Sequence, residues 1–113
     1  MANHKLQRIE SDILKYLGSI ILTETRDEIL KTVTLTGVEV SKDLYYAKVY
    51  FTSFSPLSHK EIEKEMNEAS PYLRGCLAKV IEIRNIPELK FIYDESIEYA
   101  NKIEKIIEQI HEK

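Results

Sequence analysis

Cysteine, glycine and proline are scarce in this chain, whose 113 residues include one cysteine, three glycines and three prolines. The single cysteine, Cys76, cannot form an internal disulfide, and it falls on the apolar stripe of a predicted helix. We therefore expect a buried thiol in a reducing compartment, without a catalytic role. The composition has no low-complexity tract and is typical of a soluble globular protein. Residues 1–113 should form a single domain that needs no disulfide to hold its core.

Several functional signals are also missing. No apolar run approaches membrane-spanning length, and charges interrupt the N-terminal segment where a signal peptide would be apolar. No partner at metal-ligand spacing accompanies the histidines, which are His4, His59 and His111. There is no nucleophile elbow and no phosphate-binding loop. We expect a cytoplasmic, non-enzymatic protein without a metal, a cofactor, a small-molecule substrate or a membrane partner.

Residues 33–54, VTLTGVEVSKDLYYAKVYFTSF, predict two strands joined by a polar turn. In the first strand Val33 and Leu35 alternate with threonines, and the apolar phase shifts by one residue at Gly37. Such a shift at a glycine predicts a β-bulge. The second strand alternates between a covered and an open face, with the apolar residues Ala47, Val49 and Phe51 on one side. Turn chemistry between the strands comes from Ser41, Lys42 and Asp43.

Helical spacing of apolar residues predicts helices at about residues 3–25, 58–70, 71–85 and 95–112. Ser58 and Glu61 have the spacing of a capping box, and Pro71 ends one helix while suiting the first turn of the next. A solvated helix face is predicted for Glu61, Glu63 and Glu65. The segment LKFIYD, residues 89–94, predicts a third strand. This order predicts a two-layer α+β sandwich, α-β-β-α-α-β plus a C-terminal helix, with helices on one face of the sheet.

The formal charge is −3, from 16 basic and 19 acidic residues, but the charges are distributed unevenly. Residues 71–92 carry a balance of +2, because their two glutamates are outnumbered by Arg74, Lys79, Arg84 and Lys90. Phosphates respond to the local potential more than to the net charge. An acidic total can therefore coexist with a basic face.

Two blocks of the sequence resemble the ribosome-binding factor A family: GVEVSKDLYYAKVYFTSF, and NEASPYLRGCLAKVIEIRNIPELKFIYDES. The resemblance implies a type II KH-like fold with a three-stranded mixed sheet. It also implies a non-catalytic, monomeric role in binding the free 30S ribosomal subunit and its 16S rRNA, with assistance to late 30S maturation and to processing of the rRNA 5′ end. The GXXG loop with which KH domains grip single strands is absent. We therefore expect recognition of folded rRNA by its shape and phosphates.

Candidate rRNA-binding residues follow from the basic segments and the resemblance, and they are Lys42, Lys48, Arg74, Lys79, Arg84 and Lys90. Residue types alone favour a solvated helix face for such cations, whereas the resemblance favours a phosphate-facing patch. The interhelical kink is predicted at Ala69, Ser70 and Pro71, where the family usually has Ala-x-Gly. Rings that could stack on bases are Tyr45, Tyr46 and Tyr50, although at least one should pack instead.

An alternative function rests on the predicted C-terminal helix, about residues 95–112. Its apolar stripe has a 3-4-3 spacing and consists of Ala100, Ile103, Ile107 and Ile110. The stripe could pair with another chain, which would make the protein a non-enzymatic interaction module, or it could pack on the domain's own helices.

Overall fold

The computed structural model describes residues 4–96 of the chain. Its helices are α1 (His4–Thr23), α2 (His59–Glu68) and α3 (Ser70–Ala78), and its strands are β1 (Val33–Val40), β2 (Tyr46–Ser53) and β3 (Glu88–Tyr93). A short 3-10 helix, Leu30–Thr32, precedes β1. The predicted order of the first six elements is confirmed. The predicted C-terminal helix lies outside the described residues, apart from Glu95 and Ser96.

The sheet has the order β1-β2-β3, in which β1 and β2 are antiparallel and β2 and β3 are parallel. The register of the first pair shifts between Leu35, which pairs with Phe51, and Gly37, which pairs with Tyr50. Thr36 is therefore the extra residue of β1. The predicted β-bulge is thus confirmed. The parallel pair requires a crossover, which α2 and α3 supply.

One face of the sheet forms the core. The side chains of alternate residues of β2 and β3 are buried there, and they are Ala47, Val49, Phe51, Leu89, Phe91 and Tyr93. The Phe51 ring meets Phe91 and Tyr93 edge-on, at centroid distances of 6.4 and 5.3 Å. Helix α1 packs on β1, and α2 and α3 pack on β3. The opposite face carries no helix of the described chain, and Lys48 and Lys90 are exposed on it.

The junction between α2 and α3 is a kink with no linker. Ser58 caps α2, since its hydroxyl oxygen accepts from the Glu61 N–H at 3.2 Å, as the capping-box spacing predicts. Ala69 is both the C-cap of α2 and the N-cap of α3, and Pro71 lies in the first turn of α3. The two helices therefore meet at Ala69, Ser70 and Pro71, where the sequence predicts a kink.

The predicted length of α3 is wrong, because the helix ends at Ala78 rather than near residue 85. The N–H groups of Lys79 and Val80 donate to carbonyls three residues back, at 3.2 and 3.1 Å, and this tightening ends the helix. The Val80 side chain is 48% exposed, and Cys76, which the sequence predicts to be buried, is only half-buried. Lys79 thus caps α3, and Arg84 lies in the segment that leads to β3.

Candidate nucleic-acid interface

Three segments meet at one end of the molecule, which we call the hairpin end: residues 4–12, 39–48 and 74–90. The Val40 N–H donates to the Glu10 carboxylate at 2.7 Å, which joins the start of α1 to the hairpin. The Glu88 N–H donates to the Tyr45 carbonyl at 2.8 Å, which joins the hairpin to the start of β3.

Charge is separated between this end and the rest of the described chain. The hairpin end holds eight Lys and Arg residues against six Asp and Glu residues, a net charge of +2. The remainder of residues 4–96 holds five Lys and Arg against nine Asp and Glu, a net charge of −4. The hairpin end is therefore the part of the described surface best suited to phosphate.

All six cations predicted from the sequence lie at the hairpin end, and all are exposed. They fall on two sides of it. Lys48 and Lys90 project from the open face of the sheet, and Lys42 lies in the hairpin loop. Arg74 and Lys79 belong to the helical layer, and Arg84 lies between α3 and β3. The cations therefore surround one end of the fold instead of forming a row along a single helix, as the predicted longer α3 would require.

Lys48 and Lys90 lie side by side on the open face, and Glu39 is the register partner of Lys48 on β1. The Cα atoms of the two lysines are register partners on β2 and β3, so both ammonium groups lie on the same side of the sheet. Among residues 4–96 the sole contact within 4.0 Å between a Lys, Arg or His nitrogen and a carboxylate joins His59 and Glu95. Neither lysine is neutralised by such a contact.

Arg74 has a structural role that sequence reasoning missed. Its Nη2 and Nε donate to the Ile86 carbonyl at 2.6 and 3.1 Å, and Nε also donates to the Pro87 carbonyl at 3.3 Å. The guanidinium therefore holds residues 79–87 beside α3. These bonds determine where Arg84 and its neighbour Asn85 are presented.

Arg74 belongs to a polar stripe that crosses the kink and closes the free edge of β3. The Ser70 hydroxyl donates to the Leu89 carbonyl at 2.6 Å. Asn67 exchanges two hydrogen bonds with the backbone of Phe91. The 4-3-4 spacing of the stripe was a detectable signal, because the same helical face continues through the kink as Glu63, Asn67, Ser70 and Arg74.

Glu63 completes this stripe and is not the solvated residue that the sequence predicts. Its Oε2 accepts from the Tyr93 N–H at 2.8 Å. An unpaired strand edge can attract other chains, and natural sheets cover or block such edges. The side chains of α2 and α3 perform this function for β3, so the kink has a structural purpose independent of any ligand.

The hairpin loop is held rigid by short hydrogen bonds. The Ser41 hydroxyl donates to Asp43 Oδ1 at 2.6 Å, and the Tyr45 N–H donates to the same oxygen at 3.0 Å. These two bonds lower the pKa of Asp43 below its usual range. Leu44 has φ of 65°, a left-handed conformation that costs a non-glycine residue about 1–2 kcal/mol. The turn role predicted for Asp43 is confirmed.

The three candidate stacking residues differ in exposure. Tyr50 is half-buried, and its hydroxyl donates to Glu39 Oε2 at 3.2 Å. Burial and the Glu39 carboxylate raise the pKa of Tyr50. Tyr45 and Tyr46 are 67% and 57% exposed. Tyr50 is therefore the packing residue that the sequence anticipates, and the two exposed rings remain available for stacking.

A groove of about 420 Å³ opens between the hairpin loop and residues 82–87, and its polar lining is formed by Lys5, Asp43, Tyr45, Glu82, Arg84 and Asn85. Within residues 4–96, no three His, Cys, Asp or Glu side chains cluster so as to hold a metal ion. No helix in this described part is both long and apolar enough to span a membrane. The chemistry that the site offers is phosphate attraction, ring stacking and amide hydrogen bonding.

Comparison with known proteins identifies the family. The family model described as ribosome-binding factor A matches residues 5–107. The chain belongs to the ribosome-binding factor A family. Its relatives include a ribosome-binding factor A from Francisella philomiragia, 37% identical over 96% of this chain and 76% of the relative. Another from Coxiella burnetii is 38% identical over 95% of this chain and 90% of the relative.

Solved structures of ribosome-binding factor A proteins share the fold. A Thermotoga maritima protein studied by solution NMR has a TM-score of 0.69 at 33% identity, covering 85% of this chain and 92% of its own. The Thermus thermophilus crystal structure has a TM-score of 0.69 at 24% identity, covering 78% and 94%. A homology model of the Thermus protein, fitted into a cryo-EM map of a 30S complex, has a TM-score of 0.64 at 24% identity, covering 78% and 93%. The predicted KH-like α+β fold is confirmed.

Proposed function

We propose that the chain binds the 30S ribosomal subunit through its 16S rRNA and assists the late maturation of that subunit, including processing of the rRNA 5′ end. The observation that carries this proposal is the family match over residues 5–107. The positive hairpin end, where the six predicted cations meet, supports it with a surface suited to phosphate. The role proposed is non-enzymatic, and the protein acts as a monomer in the cytoplasm, without a cofactor.

The physical mechanism is differential binding. A protein shifts a conformational equilibrium of RNA only by binding one state more tightly than the other. Exposed cations on two sides of the hairpin end can contact phosphates of two RNA segments at once. The six residues assigned to these contacts are Lys42, Lys48, Arg74, Lys79, Arg84 and Lys90. Such contacts favour the rRNA conformation that brings the two segments together.

Co-sedimentation of the full chain with isolated 30S subunits, 50S subunits and whole ribosomes across a salt series tests the binding. We expect selective binding to 30S subunits that weakens with salt, since each phosphate contact adds about one unit to the salt slope. Neutralising Lys42, Lys48 and Lys90 to Gln should lower both the affinity and the slope. The matched control neutralises Lys15, Lys60 and Lys64, which are exposed outside the hairpin end.

The absence of binding to any particle at low salt would contradict the proposal and favour the interaction module based on the C-terminal segment. The maturation role needs a separate test in cells. Depletion of the protein should increase precursor 16S rRNA and free subunits, and unchanged levels of both would contradict that role.

A further inference from the structure

Tyr45 presents an exposed aromatic ring on a backbone that is held at both ends. Its N–H donates to Asp43 Oδ1 at 3.0 Å, and its carbonyl accepts from the Glu88 N–H at 2.8 Å. The side chain nevertheless remains 67% exposed. A ring on a rigid backbone loses little conformational freedom when a ligand binds to it. Tyr45 is thus preorganised for contact with a planar group.

The groove beside this ring offers two cations to a phosphate and one amide to a base edge. The groove beside Tyr45 also contains Lys5, Arg84 and Asn85, and its volume of about 420 Å³ falls in the range of small-molecule sites. Within the described part of the chain, neither Lys5 nor Arg84 has a carboxylate within 4.0 Å. Two carboxylates also line the groove: Asp43, which already accepts hydrogen bonds from Ser41 and from the Tyr45 N–H, and Glu82.

These features match an unpaired nucleotide better than a duplex. Proteins recognise unpaired RNA by stacking bases on aromatic side chains and by hydrogen bonds to the base edges. A base inside a duplex is already stacked on both faces and cannot cover the Tyr45 ring. The Asn85 amide supplies a donor and an acceptor for a base edge, and the two cations supply the charge for a phosphate.

We propose that the groove between Tyr45 and Arg84 binds one unpaired nucleotide of rRNA, with its base stacked on Tyr45, its phosphate near Lys5 and Arg84, and its base edge facing Asn85. This inference rests on the proposed function and assigns a specific contact within it. The nucleotide contact is distinct from the general phosphate attraction of Lys48 and Lys90, which lie on the open face of the sheet.

The test measures the affinity of the full chain for isolated 30S subunits across a salt series. Tyr45→Ala should weaken binding about 5- to 150-fold, the range for one base–aromatic stack. The salt slope should not change, because the tyrosine contributes no charge. Tyr45→Phe keeps the ring and should bind like the wild type. Arg84→Gln should weaken binding and reduce the slope by about one unit.

Phe54→Ala is the matched control, since Phe54 is also exposed and lies at the opposite end of β2 from Tyr45. We expect this variant to bind like the wild type. Thermal denaturation of every variant checks that the fold is intact, and ultraviolet cross-linking of the wild-type complex should join a nucleotide to the peptide that contains Tyr45.

The outcomes separate the two proposals. If the wild type binds 30S subunits but Tyr45→Ala binds equally well, the nucleotide site is overturned and the proposed function stands. A cross-link from this peptide to a ribosomal protein instead of RNA would also overturn the site. If the wild type binds no 30S subunits, both the function and the site are overturned.

Discussion

Asn67 and Phe91 exchange two hydrogen bonds across the boundary between α2 and β3. Asn67 Nδ2 donates to the Phe91 carbonyl at 3.0 Å, and the Phe91 N–H donates to Asn67 Oδ1 at 2.9 Å. One side-chain amide therefore replaces the neighbouring strand that β3 lacks on this side. The kink between α2 and α3 keeps Ser70 in line with Asn67, and the Ser70 hydroxyl bonds the Leu89 carbonyl of the same edge.

Asn67→Ala should lower the free energy of unfolding by about 1–2 kcal/mol, because both backbone groups of Phe91 lose their partner and only water can replace it. Urea denaturation measures the change. Glu68→Ala, at an exposed position next along α2, is the control and should have little effect. Equal stability of the two variants would show that the amide does not support the β3 edge.

Glu10 performs a related task at the end of β1. Its Oε2 accepts from the Val40 N–H at 2.7 Å. We expect Glu10→Ala to destabilise the protein by about 1–2 kcal/mol, since a hydrogen bond to a charged acceptor is lost at a partly buried position. Glu10→Gln keeps an acceptor oxygen and should recover at least half of the loss. Hydrogen exchange of the Val40 amide, faster only in Glu10→Ala, checks that the effect is local.

The paired lysines of the open face should reduce stability. Lys48 and Lys90 are register partners on adjacent strands, and like charges at such positions repel. Glu39, the register partner of Lys48 on β1, offsets only part of this repulsion. Lys90→Gln should therefore stabilise the fold slightly, and Lys90→Glu should stabilise it further, by up to about 1 kcal/mol. Urea denaturation at low salt measures this series, and added salt should shrink the differences. A fall in stability from Lys to Gln to Glu would refute the repulsion.

The carboxylate of Asp94 makes the free energy of unfolding depend on pH. Hydrogen bonds from Ser96 and from the Thr36 hydroxyl, the latter at 2.6 Å, lower the pKa of Asp94 below its ordinary 3.8. A group whose pKa is depressed by folding contributes stability above its unfolded pKa and loses it as the pH falls through the folded pKa. The contribution should therefore be complete above about pH 4 and disappear at lower pH.

The variant Asp94→Asn tests this dependence. It should be less stable than the wild type at neutral pH, and the difference should shrink as the pH falls below about 4. Denaturation curves at several pH values measure the difference. Glu82→Gln, at an exposed position, serves as the control and should show no comparable convergence. A difference that stays constant down to low pH would contradict the assignment.

Local sequence signals predicted several elements correctly because their causes are local. The phase shift at Gly37 predicted the bulge between Leu35 and Gly37, since side chains alternate strictly along a strand. Ser58 and Glu61 predicted the start of α2, because the cap is made within one turn. The family resemblance predicted a three-stranded mixed sheet, and the observed strand order and pairing confirm it.

The end of α3 could not be predicted in this way. Apolar spacing continues to Ile81, but the backbone tightens at Lys79 and Val80, and the following segment is held by the Arg74 guanidinium. That contact joins residues 12 positions apart. Helical periodicity describes only neighbours within a turn or two, so it extends the helix past the point where a tertiary contact redirects the chain.

The sequence by itself determined the order of the elements, the bulge, the N-cap of α2 and the set of candidate cations, because each depends on residue type and near neighbours. Only the tertiary structure decided that these cations surround one end of the fold and that Glu63, Asn67 and Ser70 close the β3 edge. It also decided that Tyr45, unlike Tyr50, keeps its ring in solvent. Each of these arrangements depends on residues from different elements meeting in space, and spacing along the chain does not encode such distances.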